Sequence, residues 1–134
     1  MHPAVRIVIA VVCGALIAFA LAAGIESIGQ RVLPAAAGVD LSQAASMKNL
    51  PLGALLFVLG AWIIATFVGA AVGSFIARRR VLLVAAVIGI LVLAATVANF
   101  VLIPHPVWMI VAGVAGIVLA ALAAGKVMSR ARRA

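Results

Sequence analysis

The stretch LGALLFVLGAWIIATFVGAAVGSFIARRRVLLVAAVIGILVLAATVANFVLI, from Leu52 to Ile103, decides the fold. Two long, uncharged, apolar runs flank three consecutive arginines. A helix rises 1.5 Å per residue and the hydrocarbon core of a bilayer is about 30 Å thick, so about 20 apolar residues cross it. Both runs reach that length, and Arg78, Arg79 and Arg80 leave room only for a tight turn between them. In lipid only helices and closed barrels satisfy their own backbone groups. The period-two polarity of barrel strands is absent. The reading is an all-α integral membrane protein.

Working outward adds one apolar run on each side. The expected spans cover about 7–28, 52–77, 81–103 and 107–125. They form a single transmembrane domain over 1–134, a four-helix bundle in which short connections make neighbours antiparallel. The first run, Ile7 to Ile25, is longer than the 7–15 residues of a signal-peptide core, so it is read as a retained span. An external loop over 29–51 is the one sizeable extramembrane segment. Within it, Asp40-Leu41-Ser42-Gln43 has the spacing of a helix capping box, which predicts a short helix over 41–49.

Composition agrees. Of 134 residues 69% are hydrophobic and 9% charged, with a mean hydropathy of +1.43. A soluble domain is about half apolar and a quarter charged. The net charge of +8 would point to nucleic acid on a soluble protein, but the basic residues lie between apolar runs, and no nucleic-acid partner is expected. In a four-span arrangement Arg6, Arg78, Arg79, Arg80, Lys126, Arg130, Arg132 and Arg133 share one side, and Arg31 and Lys48 the other. Positive residues stay cytoplasmic, so both termini and the arginine turn are assigned to the cytoplasm. The same side chains suit anionic lipid headgroups, and membrane lipids are expected partners.

Cys13 is the only cysteine, which excludes an intramolecular disulfide, a cysteine-based zinc site and a redox pair. One Glu and one Asp, with one external His, make an acid–base dyad improbable. No Gly-rich phosphate loop is present. The expectation is a non-enzymatic protein without cofactor or metal.

Helices in lipid associate through close packing of small residues. Ala61, Ala65, Gly69, Gly73 and Ala77 recur at four-residue steps along the second run, with Gly69 and Gly73 a GxxxG pair. Ala10, Gly14, Ala18 and Ala22 form a second row, and Ala112, Gly116, Ala120 and Ala124 a third. The five-member row marks a tight helix contact, within the bundle or between copies. Three such faces on four helices leave surplus interface, which argues for association with a second copy or with another membrane protein.

No ionisable residue sits at the centre of a span. Counting from Arg6 places Glu26 about 30 Å along its helix, at the outer interface. Asn99, His105 and Trp108 fall at that level too, and Gln30 follows Glu26 by one turn. These five residues form the candidate ligand or ion site. Each also has a plainer role: Glu26 as a solvated helix end, Asn99 as an interhelical hydrogen-bond partner, His105 as a turn residue between two prolines, Trp108 in the interfacial aromatic belt. Trp62 lies about 11 residues into its span and reads as core packing.

Glu26 to Pro34, Gly38 to Leu41, Leu50 to Leu55 and Asn99 to Trp108, with its Ile-Pro-His-Pro turn followed by Trp, resemble small bacterial four-span inner-membrane proteins. The resemblance implies a bacterial inner-membrane location and carries neither substrate nor catalytic residue. The sequence therefore favours a protein acting through helix–helix association, as a homo-oligomer or an accessory subunit. The alternative is a small oligomeric transporter or channel using Glu26, and the third, a lipid-directed enzyme, rests on Glu26 and His105 alone.

Overall fold

The computed structural model describes residues 2–33 and 50–134. It contains four helices: α1 (Pro3–Val32), α2 (Leu52–Ala77), α3 (Val81–Leu102) and α4 (Val107–Ala131). Each is long and apolar enough to cross a membrane. The predicted 41–49 helix, its Asp40 cap and Lys48 lie outside the described residues. Two helices outrun the expected spans: α1 continues past residue 28 to Val32, and α4 past 125 to Ala131. Their added turns are polar or charged, so hydropathy alone ended the spans too early.

α2 is the hub and touches all three other helices, while α1 and α4 each pack on α2 and α3. Contacts between α1 and α2 run in order from Arg6 beside Ile76, through Gly14 beside Gly69 and Gly73, to Gly29 beside Phe57. At the middle, a Cβ added to Gly14 would lie 2.7 Å from the Gly69 carbonyl oxygen, and one added to Gly69 2.7 Å from the Ala18 Cβ. The Ile88 Cδ1 of α3 occupies the notch left by Gly14 and Gly73, and Ile88 is fully buried. α4 docks by the same device. Gly116 faces Ile63, Gly89 faces Ala121, and Gly125 lies against Ala85 and Leu82.

The predicted rows are therefore spent inside one bundle. Ala61, Ala65, Gly69, Gly73 and Ala77 are all buried, as are Ala10, Gly14 and Ala18 of α1 and Ala120 and Ala124 of α4. Large aliphatic side chains such as Leu16, Ile64, Ile90 and Leu119 are exposed instead. Small inside and large outside is the packing expected where lipid, not water, surrounds the helices. Ala22, Ala112 and Gly116, the remaining members of the rows, are partly buried, so most of the small-residue surface that suggested association is used within the bundle.

One end of the bundle gathers arginines for a structural reason. The last carbonyls of a helix lack partners within it and carry partial negative charge. At the end of α2, Arg132 Nη2 donates to Ser74 O at 3.0 Å and Phe75 O at 2.7 Å, and Arg6 Nε donates to Ile76 O at 2.7 Å. The Arg79 N–H supplies Ala77 O at 2.7 Å. Side chains from both ends of the chain thus complete the C-terminus of α2. The turn that follows places Arg78 and Arg80 at φ 59° and 52°, the left-handed region. Each costs an L-residue about 1–2 kcal/mol, and glycine would avoid it. Arg6→Gln is expected to lower stability by about 1–2 kcal/mol through loss of the charge-assisted bond. Arg133→Ala, whose side chain has no such partner, serves as the silent control. Unfolding midpoints of the two variants in detergent check this.

Candidate functional site

At the opposite end the helices diverge around a cavity of about 110 Å³. Glu26 and Gln30 of α1, Phe57, Val58 and Trp62 of α2, Asn99 of α3 and His105 of the α3–α4 turn are among its lining residues. Four of the five residues predicted as a site thus share one chamber: Glu26, Gln30, Asn99 and His105. Trp108 is not part of it. It is 41% exposed in the first turn of α4, while its neighbour Met109 is fully buried. Its interfacial-belt reading accords with that orientation.

The chamber is built from local sequence rules. Proline disfavours helical conformation in the residue before it. Ile103, preceding Pro104, accordingly leaves the helix at φ −126° and ψ 121°, its N–H still bonded to Asn99 O at 2.8 Å. Pro106 then starts α4 from an extended conformation. Between the two prolines His105 folds inward and is only 6% exposed. Its ring stands edge-on to Phe100, with centroids 4.9 Å apart at 75°. Phe100 in turn meets Trp62 edge-on at 5.6 Å, and Trp62 lies 6.0 Å from His105. Edge-to-face contacts of this kind contribute about 0.5–1.5 kcal/mol each beyond area burial.

Glycines make room for these rings. Gly113 of α4 gives way to Phe100, Leu59 and Trp62, and Gly29 of α1 lies beneath the ring of Phe57. The Trp62 indole N–H donates to Glu26 Oε1 at 2.5 Å, joining α1 to α2 inside the bundle. Glu26 is six residues before the end of α1, about 9 Å along the axis, and is half-buried. It therefore sits deeper than a helix-end residue. The role of Trp62 at the site was missed because counting from Leu52 placed it in the core and Glu26 at the surface. Phe57 in the chamber wall and Phe100 packed behind Trp62 and His105 carried no signal in the sequence beyond hydrophobicity.

Two polar atoms at the chamber are buried without a hydrogen-bond partner among the described residues: Asn99 Oδ1 and His105 Nε2. Each unmet buried group costs about 1–3 kcal/mol. Buried polar groups in folded proteins are otherwise satisfied, so each exception calls for a partner. Trp62 and Asn99 also line a second cavity of about 130 Å³, with Ala18, Phe19, Ala22 and Thr96. Beyond it lies the close contact of Gly14, Gly69, Gly73 and Ile88. Among the described residues no three His, Cys, Asp or Glu side chains come together as a metal site.

Four membrane-crossing helices make this a multi-pass membrane protein. No protein-family model, no curated protein and no solved structure matches the chain.

Proposed function

We propose that this is a non-enzymatic protein of the bacterial inner membrane that binds a small solute in the Glu26–His105 chamber. The excess of basic residues at one end supports assigning both termini and the Arg78–Arg80 turn to the cytoplasm, with the chamber then opening to the outside. One observation carries the reading: polar side chains from α1, α3 and the α3–α4 turn surround a cavity in which two buried polar atoms lack partners. The close-packed glycines beneath favour binding, or transport with a change of shape, over an open channel.

The test is an unfolding-midpoint screen of the reconstituted protein against small neutral, anionic and cationic solutes. At least one class is expected to raise the midpoint of the wild type. Val58→Phe, which fills the chamber, is expected to remove that response while leaving the bundle folded. A wild type indifferent to every class would end the solute-binding reading.

Association is the second reading. It is favoured by Ala20, Ala23 and Gly24, which are exposed on one face of α1, with nothing within 4 Å of a Cβ added to Gly24. Native mass spectrometry of gently extracted protein distinguishes a second copy from an accessory role beside another membrane protein.

A further inference from the structure

We propose that the chamber selects a small protonated amine: a primary or secondary ammonium with a short alkyl body. The proposal rests on the solute-binding reading above and follows from an inventory of donors and acceptors.

His105 Nδ1 lies 2.6 Å from the carbonyl oxygen of Ile103. A carbonyl only accepts, so Nδ1 carries the ring proton, and in the neutral ring Nε2 is left as a bare lone pair. That atom is buried and unmet among the described residues, on a side chain only 6% exposed. Asn99 Oδ1 is a second unmet acceptor. When ionised the carboxylate of Glu26 is acceptor-only, and its Oε1 already takes the indole N–H of Trp62. Trp62 has no other donor to give. Gln30 and Asn99 bring amide donors as well as acceptors, but the carboxylate of Glu26 and Nε2 of His105 can only accept, and the indole donor of Trp62 is already engaged.

An anion could take only the amide donors of Gln30 and Asn99, would meet the like charge of the Glu26 carboxylate and would leave His105 Nε2 unmet. An alkylammonium does the reverse. Its N–H groups radiate from one positive centre and meet several acceptors at once, and its charge opposes that of Glu26. Phe57 and Trp62 supply aromatic surface for the alkyl part, and Trp62 is the ring type that attracts cations most strongly. Arg31, in the last turn of α1, does not line the chamber and so does not compete for the carboxylate there. A cavity of about 110 Å³ has room for an amine of a few heavy atoms.

The experiment is a set of titrations on the full chain in lipid nanodiscs, with ethylammonium, tetramethylammonium, sodium and ethanol as probes. Ethylammonium is expected to bind. Tetramethylammonium, which keeps the charge without N–H donors, and ethanol, which keeps a donor without the charge, are expected to bind at least about tenfold more weakly. Glu26→Gln is expected to weaken ethylammonium binding about 100-fold. His105→Phe, which keeps a ring but removes the acceptor, is expected to weaken it about tenfold. Should Glu26→Gln fail to fold, His105→Phe and the tetramethylammonium comparison decide the matter without it. Equal binding of the two ammonium ions, or a response to sodium alone that matches ethylammonium, overturns the assignment. Binding of ethanol or an anion without ethylammonium overturns the amine and leaves the solute-binding reading standing. No response to any solute class removes both.

Discussion

Gly69→Leu is expected to separate α1 from α2 and to destabilise the bundle by about 3 kcal/mol or more. Even a Cβ at residue 69 would lie 2.5 Å from the Gly14 carbonyl oxygen and 2.7 Å from the Ala18 Cβ. These are backbone and near-backbone atoms of α1, so no rotamer change relieves the clash. The helix itself must move. In lipid that movement is expensive in a particular way. There is no gain from hiding leucine from leucine, so the attraction between α1 and α2 is the summed dispersion of closely approaching backbones, which decays steeply as the helices part. Ile88 loses its notch at the same time, because Gly14 and Gly73 no longer flank it in register. The contrast is Gly60→Ala, where a Cβ meets nothing within 4 Å. Alanine is a better helix former than glycine by about 1 kcal/mol, so this change is expected to be neutral or stabilising. Unfolding of both variants in mixed micelles measures the difference. Equal stabilities would mean that the crossing of α1 and α2 is not where the bundle is held.

The same glycines show how far spacing alone can be read. Five small residues at four-residue steps on α2 marked a tight contact, but spacing says nothing about which helix fills it. Only the three-dimensional arrangement assigns that face to α1 and Ile88. Charge behaves similarly. Counting arginines placed Arg6 and Arg132 on one side of the bundle, yet a count cannot distinguish a side chain in water from one that completes the end of α2. For the chamber, helix arithmetic brought Glu26, Gln30, Asn99 and His105 to one level. It failed for Trp108 because depth along a helix is not direction around it. One residue further on, Met109 turns fully inward. Trp62 is core, as its position in the span implied, but its link to Glu26 was not legible, for the opposite reason. Its depth was judged from the start of α2, whereas Glu26 was judged from Arg6 along an α1 assumed shorter than it is. An error of a turn or so in one helix separated two side chains that share a hydrogen bond.

That hydrogen bond and the ring that carries it give the second large effect. Trp62→Ala is expected to cost about 3–5 kcal/mol, the range for removing a large aromatic from a packed interior. The ring meets Phe100 edge-on, lies tilted 6.0 Å from His105 and sits beside Gly113. It also lines both the cavity of about 110 Å³ and that of about 130 Å³, so its loss merges the two into one larger space. Glu26 at the same time loses the indole donor. Trp62→Phe separates these contributions. A phenyl ring keeps much of the packing but loses the N–H together with part of the indole bicycle, so its expected cost is about 1–2 kcal/mol, well below that of alanine. If the bond between Trp62 and Glu26 is the coupling that the geometry implies, Trp62→Phe and Glu26→Gln will not be additive, with an interaction energy of about 1 kcal/mol in the double-mutant cycle. Trp108, exposed and outside the chamber, remains as the fluorescent reporter of unfolding in every one of these variants. Additive energies would reduce Trp62 to a packing residue. A Phe variant as damaged as the Ala variant would instead place nearly all of the ring's contribution in its one N–H.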